Sequence, residues 1–371
     1  MYNWFVSILD WVYGWVGNYG WSVVVFTVLV KVCLLPLDVK SRRSMRQMSA
    51  LNPKLEALKK RYANDQEKLN LKTQELYKKN KVNPLSGCLP LLIQLPILFI
   101  MFEAMRRVAG RMQVEEMADW IMKNLMVKGE DGVWTWNELF VKGEDGIWAW
   151  KDLENGLLAG IKSGSMNFRP QGWLWIKSVF QPDHLSSTMM PSLTELTTTF
   201  NAYKGKVVLS DEVRQVMKLY LNADAAPIAS AVDAAIRENC SFKTIPLIFS
   251  IITLDWPRNW TYINGYLILP VLAGASQILA TKLQSGMDKN TASQQNNGSG
   301  KFMKWFFPIL SVWICLSSNA AFAIYWVFVN LWSIVSNYGI NLYLEIKDKH
   351  AAPGPDAGSD TTNKNKEALQ P

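Results

Sequence analysis

Lys31 is the residue with the sharpest chemical consequence, because it stands inside the apolar run from Tyr19 to Leu37. A cation at the centre of a bilayer-crossing helix costs at least about 2.5–3.5 kcal/mol, so it usually has a partner or a task. The competing reading is snorkelling: Leu37 is six residues on, about 9 Å by helical rise, within partial reach of a lysine. Thr27 lies four residues earlier and hence on the same helix face. Gln94, Gln277, and Trp326 with Asn330 (again four apart) fall in other apolar runs. Polar groups on each helix predict a wet cavity around Lys31. Glu103 lies toward the opposite face, which argues against a Lys31–Glu103 pair. A cation in such a cavity attracts acidic or polar peptide segments and partly dehydrates them. With no nucleophile, base or metal beside it, this is handling of a chain and not covalent catalysis, so no enzyme activity is expected.

Other chemistries are excluded early. The two histidines, His184 and His350, are far apart, which rules out a H-E-x-x-H zinc site. Four cysteines are too few and too scattered for a disulfide framework. No cofactor and no metal are expected. The 371 residues are 49% apolar, with 17 Trp and 15 Met beside only 19% charge, a mixture that predicts apolar blocks alternating with very polar ones. A membrane protein follows.

A spanning helix needs about 20 mostly apolar residues. The candidates are 19–38, 84–107, 262–283, and the long stretch Phe302 to Leu344. At 1.5 Å per residue that stretch is about 65 Å, so it is read as two spans, 302–317 and 320–344, broken at Ser317, Ser318 and Asn319. The decamer Ile245 to Leu254 is too short to cross and is read as interfacial or packed in an ectodomain. Residues 1–18 place Trp4, Ile8, Trp11, Val12 and Trp15 at helical spacing, an amphipathic helix at headgroup level. They contain no basic stretch or small-residue cleavage site, so no cleavable signal is expected.

Charge sets the orientation. Residues 39–83 hold 13 Lys/Arg against 4 Asp/Glu, while 109–261 hold 15 against 18. Basic segments near span ends stay in the cytoplasm. The prediction is N-terminus outside, 39–83 inside, 108–261 outside, a cytoplasmic loop 284–301 and a cytoplasmic tail 345–371. The overall +8 is local and topological, and nucleic-acid binding is not expected.

Within 39–83, Asn52-Pro53 reads as N-cap and first-position proline of a helix, and Asn64-Asp65 break it and cap a second helix carrying Tyr77. The result is an antiparallel hairpin in the cytosol. Outside, VKGEDGVWTW at Val127 to Trp136 recurs as VKGEDGIWAW at Val141 to Trp150. Gly-Glu-Asp-Gly reads as a turn between short strands whose two Trp share a face, expected to lie on the membrane interface. Ser186 to Asn239 is expected to be partly helical.

With these elements placed, the sequence resembles the YidC/Oxa/Alb family of membrane protein insertases. The likeness rests on TVLVKVCLLPL (Thr27 to Leu37), VNPLSGCLPLLIQLPI (Val82 to Ile97), WLWIKSVFQPD (Trp173 to Asp183), LPVLAGASQ (Leu269 to Gln277), KFMKWFFPILSVW and AIYWVFVNLWSIV, in the family's order. The resemblance implies an all-α polytopic fold with five transmembrane helices around a hydrophilic groove, open to the cytoplasm and closed to the outside. It implies that Lys31 receives the hydrophilic part of a substrate while the apolar span slides into lipid. Thr27, Gln94, Gln277, Tyr325 and Trp326 are the implied lining. Pro53, Arg61 and Tyr77 belong to the implied mobile hairpin. The implied partners are nascent membrane proteins, membrane lipids, and the Sec translocon and ribosome, in the bacterial cytoplasmic membrane.

Three departures stand out. Lys replaces the family's usual Arg at position 31, keeping the charge without the planar fork. The region between spans two and three is enlarged on both sides of the Trp173–Asp183 match. Neither the large leading domain nor the lipoprotein signal of other members is expected. Two other classes compete: a small-solute or anion transporter using Lys31, against which the lack of an internal repeat of spans argues, and an assembly scaffold without insertion activity.

Overall fold

The computed structural model describes residues 3–80, 89–163, 165–166, 168–203, 209–240, 242–247, 252–257, 263–287 and 298–351. Side chains of 89–94, Gln94 among them, lie outside that description, as do the loop residues 288–297 and the tail 352–371. Among the described residues the chain is mostly helical, with two apolar cores joined by one long helix.

Helix α1 (Asn3–Val16) buries Phe5, Leu9 and Val12 and leaves Trp4, Trp11 and Trp15 exposed. A helix apolar on both faces is suited to an apolar surround on the side its neighbours leave bare. Its Asp10 holds Arg111 through two hydrogen bonds of 2.7 and 3.1 Å. Helix α2 (Tyr19–Ala50) starts under an Asn18 cap, whose side chain accepts the Trp21 N–H at 3.1 Å. It runs about 48 Å by helical rise, through Pro36 and well past residue 38. The segment 39–50 is therefore a continuation of the first apolar helix and not part of a separate hairpin. Nothing between Pro36 and the Asn52-Pro53 pair removes a donor or breaks the helical pattern.

The hairpin proper is α3 (Asn52–Arg61) and α4 (Gln66–Lys79), which pack on one another. The α3 cap is Leu51 and not Asn52, with Pro53 in the first turn. The Leu51 N–H is already bonded to the end of α2, so the two helices meet without a free cap position. Asp65 caps α4, accepting the Lys68 N–H at 3.0 Å.

Helix α5 (Leu89–Asn124) is 36 residues long, about 54 Å. Its stretch up to residue 112 contributes Met101, Met105, Val108 and Met112 to the core shared with α1, α2 and the last helices. Its second half contributes Met117, Ala118 and Ile121 to the core of the inserted region, joined by Leu125 just past its end. The insertion thus begins as helix and not as loop, carried on a rod that leaves the bundle.

That region continues with hairpins β1 (Met126–Lys128) with β2 (Trp134–Trp136), and β3 (Phe140–Lys142) with β4 (Trp148–Trp150). The two are equivalent at a spacing of 14. Gly132 and Gly146 take φ of 80° and 81°, and Asp131 and Asp145 each accept a backbone N–H two residues on at 3.0 Å. The indoles of Trp134, Trp136, Trp148 and Trp150 pack against the core of the insertion, not on a membrane surface. Period-2 alternation puts both Trp of each strand on one side, and that side meets protein. Helices α6 (Ala159–Ser163), α7 (Leu193–Tyr203), α8 (Asp211–Tyr220) and α9 (Ala226–Cys240) complete this unit. Strands β5 (Phe242–Leu247) and β6 (Ile252–Pro257) form a third hairpin with Ile245 opposite Leu254, so the apolar decamer folds back on itself.

Helices α10 (Ile268–Met287), α11 (Gly298–Ser317) and α12 (Ala320–Ala351) pack with α2 and α5 into the bundle. Residue 263 is bridged to Thr188, so the third apolar helix starts at Ile268. Two helices, Tyr19–Ala50 and Ala320–Lys347, are long and apolar enough to cross a membrane. Two shorter apolar helices, Ile268–Leu283 and Trp305–Ser317, stand beside them. Large apolar side chains face outward from all of them, including Val25, Leu29, Val271, Ile309 and Val335.

Candidate functional site

The bundle is apolar on its outward faces as well as in its core, and a few polar groups are buried within it. Helix α2 turns Ser22, Thr27 and Lys31 inward while Val25, Val28, Leu29 and Val32 are exposed. Only 8% of Lys31 is exposed, so its ammonium is held among protein groups, and the helix continues 19 residues beyond it. The Thr27 hydroxyl, one turn earlier, donates to Val23 O at 2.6 Å and keeps its lone pairs for a neighbour. Asp38, two turns after Lys31 on the same face, is the carboxylate whose charge reaches it, and Arg42 in turn reaches Asp38. Sequence reasoning missed this series because the span was closed at residue 38. The signal was the seven-residue spacing.

Helix α12 supplies the facing wall. Tyr325 is buried in the bundle core. The Trp326 indole donates to Ser311 on α11 at 3.0 Å, and the Ser311 hydroxyl donates in turn to Phe307 O at 2.8 Å. Asn330 donates to Ser276 on α10 at 3.1 Å. Gln277, next to Ser276, is half-buried. The buried polar side chains of these helices thus include Thr27, Lys31, Ser276, Ser311 and Asn330, with Gln277 half-buried. Ser276 and Ser311 were invisible in the sequence, since a lone Ser in an apolar helix usually bonds its own backbone.

Trp326 also lines an apolar crevice of about 270 Å³ with Leu98, Phe99, Phe102, Trp313 and Phe322. This crevice opens between α5 and the α11–α12 pair, where Phe99 and Trp313 are 68% and 64% exposed. Glu103 is held by Arg106 at 2.9 Å and Arg107 at 2.7 Å in its own ion cluster. In the hairpin, Pro53 and Arg61 are exposed and Tyr77 is half-buried, with the Arg61 guanidinium 5.8 Å from the Tyr62 ring centroid. These three do not adjoin the Lys31 cluster. Among the described residues no group of His, Cys, Asp or Glu has a metal-holding arrangement.

The other end of the bundle is closed by residues 171–183. Asp183, fully buried, accepts the N–H groups of Leu267 at 2.9 Å and Leu269 at 2.7 Å at the start of α10. Val179 O and Gln181 O accept from Ala321 and Ala320 at the start of α12. The Gln171 side chain accepts the Tyr19 N–H at 3.2 Å at the start of α2 and donates to Tyr13 OH. Asn264 ties the segment together, donating to Ser178 O, Gln181 O and Pro182 O and accepting the Ser178 N–H at 2.6 Å. Three helix N-termini, each with orphan N–H groups, are thus satisfied by one stretch of chain. Glu116 on α5 accepts the Gln171 N–H at 2.8 Å, and its burial pushes its carboxyl up to about 7.

These features define a class: a mostly helical membrane protein whose apolar bundle core also encloses polar groups and a buried cation. The family profile described as 60Kd inner membrane protein matches residues 11–348. The chain belongs to that family, the YidC/Oxa/Alb proteins. It is 54% identical over 92 residues to a protein of Fusobacterium nucleatum subsp. nucleatum, covering 25% of this chain and 45% of that one. It is 50% identical over 99 residues to one from Anaeromyxobacter sp. (27% and 18%), and 39% over 127 residues to one from Campylobacter jejuni subsp. jejuni (32% and 24%). All three are named membrane protein insertase YidC. The chain matches less than half the length of each.

Proposed function

We propose that this protein is an insertase for membrane proteins, acting in a bacterial inner membrane without covalent chemistry. In this reading α2, α5, α10, α11 and α12 are five spans, with α1 and the insertion outside and the α3–α4 hairpin and the end of α12 in the cytoplasm. The carrying observation is Lys31, buried at the inward face of α2 beside Thr27 and opposite α12. A polar segment of a nascent chain is drawn from the cytoplasm to this cation by charge and by the hydroxyl and amide groups of Ser276, Gln277, Ser311 and Asn330. Tyr325 belongs to the same lining. The hairpin, through Pro53, Arg61 and Tyr77, meets the chain first.

The apolar span of the substrate leaves along the Phe99–Trp313 crevice, whose walls already face lipid. Burial of its apolar surface there contributes roughly 25 cal/mol per Å². The 171–183 segment keeps the groove shut to the outside. Nascent chains and lipids are the partners, with the Sec translocon and ribosome joining at the cytoplasmic and lateral faces. The relatives' names support this reading.

A photoreactive residue placed at Thr27, and separately at Phe99, tests it on a stalled nascent single-span protein. The polar leader should crosslink at Thr27 and the apolar span at Phe99. Crosslinking at neither position, with the hairpin still contacting the chain, would sink the groove pathway.

A further inference from the structure

The tandem hairpins carry two copies of one side-chain arrangement, and among the described residues one copy is filled and the other is not. In the first, the Lys128 ammonium lies 5.6 Å from the Trp134 ring centroid. The ammonium and the Trp134 indole N–H both reach Glu212 Oε1, each at 2.9 Å. One carboxylate oxygen thus takes a charged and a neutral donor that a tight β-turn holds side by side. Those two bonds keep the Glu212 carboxyl below the usual range. In the second copy, Lys142 and Trp148 occupy the equivalent strand positions, 14 residues on. The Lys142 ammonium lies 5.8 Å from the Trp148 ring centroid, nearly the same geometry. The turn is reproduced as well, by Gly146 at positive φ and the Asp145 cap. Among the described residues no carboxylate meets this second pair, and Lys142 is exposed.

We propose that Lys142 and Trp148 form a receptor for a carboxylate supplied by another polypeptide. The filled copy states what the ligand looks like. Glu212 is the second residue of α8, behind the Ser210 cap that accepts the Val213 N–H at 3.2 Å. The ligand is therefore an acidic first turn of a helix, presented with its side-chain carboxylate outward. This site stands on the insertion and is independent of the insertase reading, since neither Lys142 nor Trp148 adjoins the Lys31 groove. It gives the duplication a use: one unit docks α8 and the second presents the same chemistry outward.

The test uses the full chain in nanodiscs and an acetylated, amidated peptide of residues 210–220, the chain's own acidic turn, titrated at up to millimolar concentration and read by ligand-observed NMR. Exposed ion pairs are individually weak, which sets that concentration range. Wild type should bind the peptide saturably. The same peptide with its Glu212 replaced by glutamine should bind at least about fivefold more weakly, since the charge-assisted bond is gone. Lys142→Gln and Trp148→Phe should each weaken binding by a similar factor, and Lys142→Arg should retain it. Glu212→Gln frees the first receptor and should raise the saturating signal about twofold, a gain that a misfolded variant does not give. No saturable binding to wild type, or equal binding by wild type and Lys142→Gln, overturns the proposal.

Discussion

At the scale of single residues, burial decides which groups carry the argument. Asp183 satisfies two N–H groups of α10 while fully buried. Asp183→Ala leaves both donors unpaired in an apolar setting and should cost about 2 kcal/mol, read as a lower melting temperature. Gly265→Ala should act on the same spot, because an added Cβ would lie 2.0 Å from Asp183 Oδ1. Glu116 gives a pH signature. Its folded-state value, about 7, lies above the unfolded value of 4.5, so the folded state holds a proton that the unfolded state has released between those limits. The stability it contributes is full below pH 4.5 and is lost as pH rises toward 7. Melting temperatures between pH 4.5 and 7.5 should fall with pH in wild type and fall less in Glu116→Gln. Equal slopes would remove Glu116 from the account.

At the scale of elements, two helices do more than cross the bundle. Helix α5 carries the insertion's core on the same rod as the bundle core, and α2 extends to the hairpin, where Arg46 bonds Asn341 O at 3.0 Å and joins it to α12. The close approach of α2 to the closing segment depends on Gly20, where a Cβ would sit 2.5 Å from the Trp173 ring. Gly20→Val should lift Trp173 off α2 and expose the 171–183 segment. Limited proteolysis from the outer face should then cut that segment faster, while Gly14→Val, at a position with open space, should leave the rate unchanged.

Across the whole molecule, what was legible in the sequence was what periodicity and composition encode. The apolar runs, the proline and aspartate at the hairpin helices, and the duplicated turn could all be read from spacing. Lys31 stood out because a charge in an apolar run is costly unless it snorkels or has a partner. The rest depends on contacts distant in sequence. Ser276 and Ser311 look like ordinary helix-interior serines until Asn330 and Trp326 reach them. The capping of three helices by residues 171–183 involves partners up to 152 residues away. The hairpin tryptophans were misassigned because a strand pattern gives the side that is apolar and not what covers it. Continuation of α2 and α5 beyond the apolar runs was hidden because polar helix carries no hydropathy signal.

The central claim is that the charge of Lys31 receives the substrate. The most direct measurement is complementation of an insertase-depleted bacterium with wild type, Lys31→Arg, Lys31→Ala and Lys31→Glu, scoring insertion of a short single-span protein by protease accessibility. The account predicts that wild type and Lys31→Arg insert, while Lys31→Ala and Lys31→Glu fail despite normal accumulation in the membrane. Equal insertion by all four would contradict it.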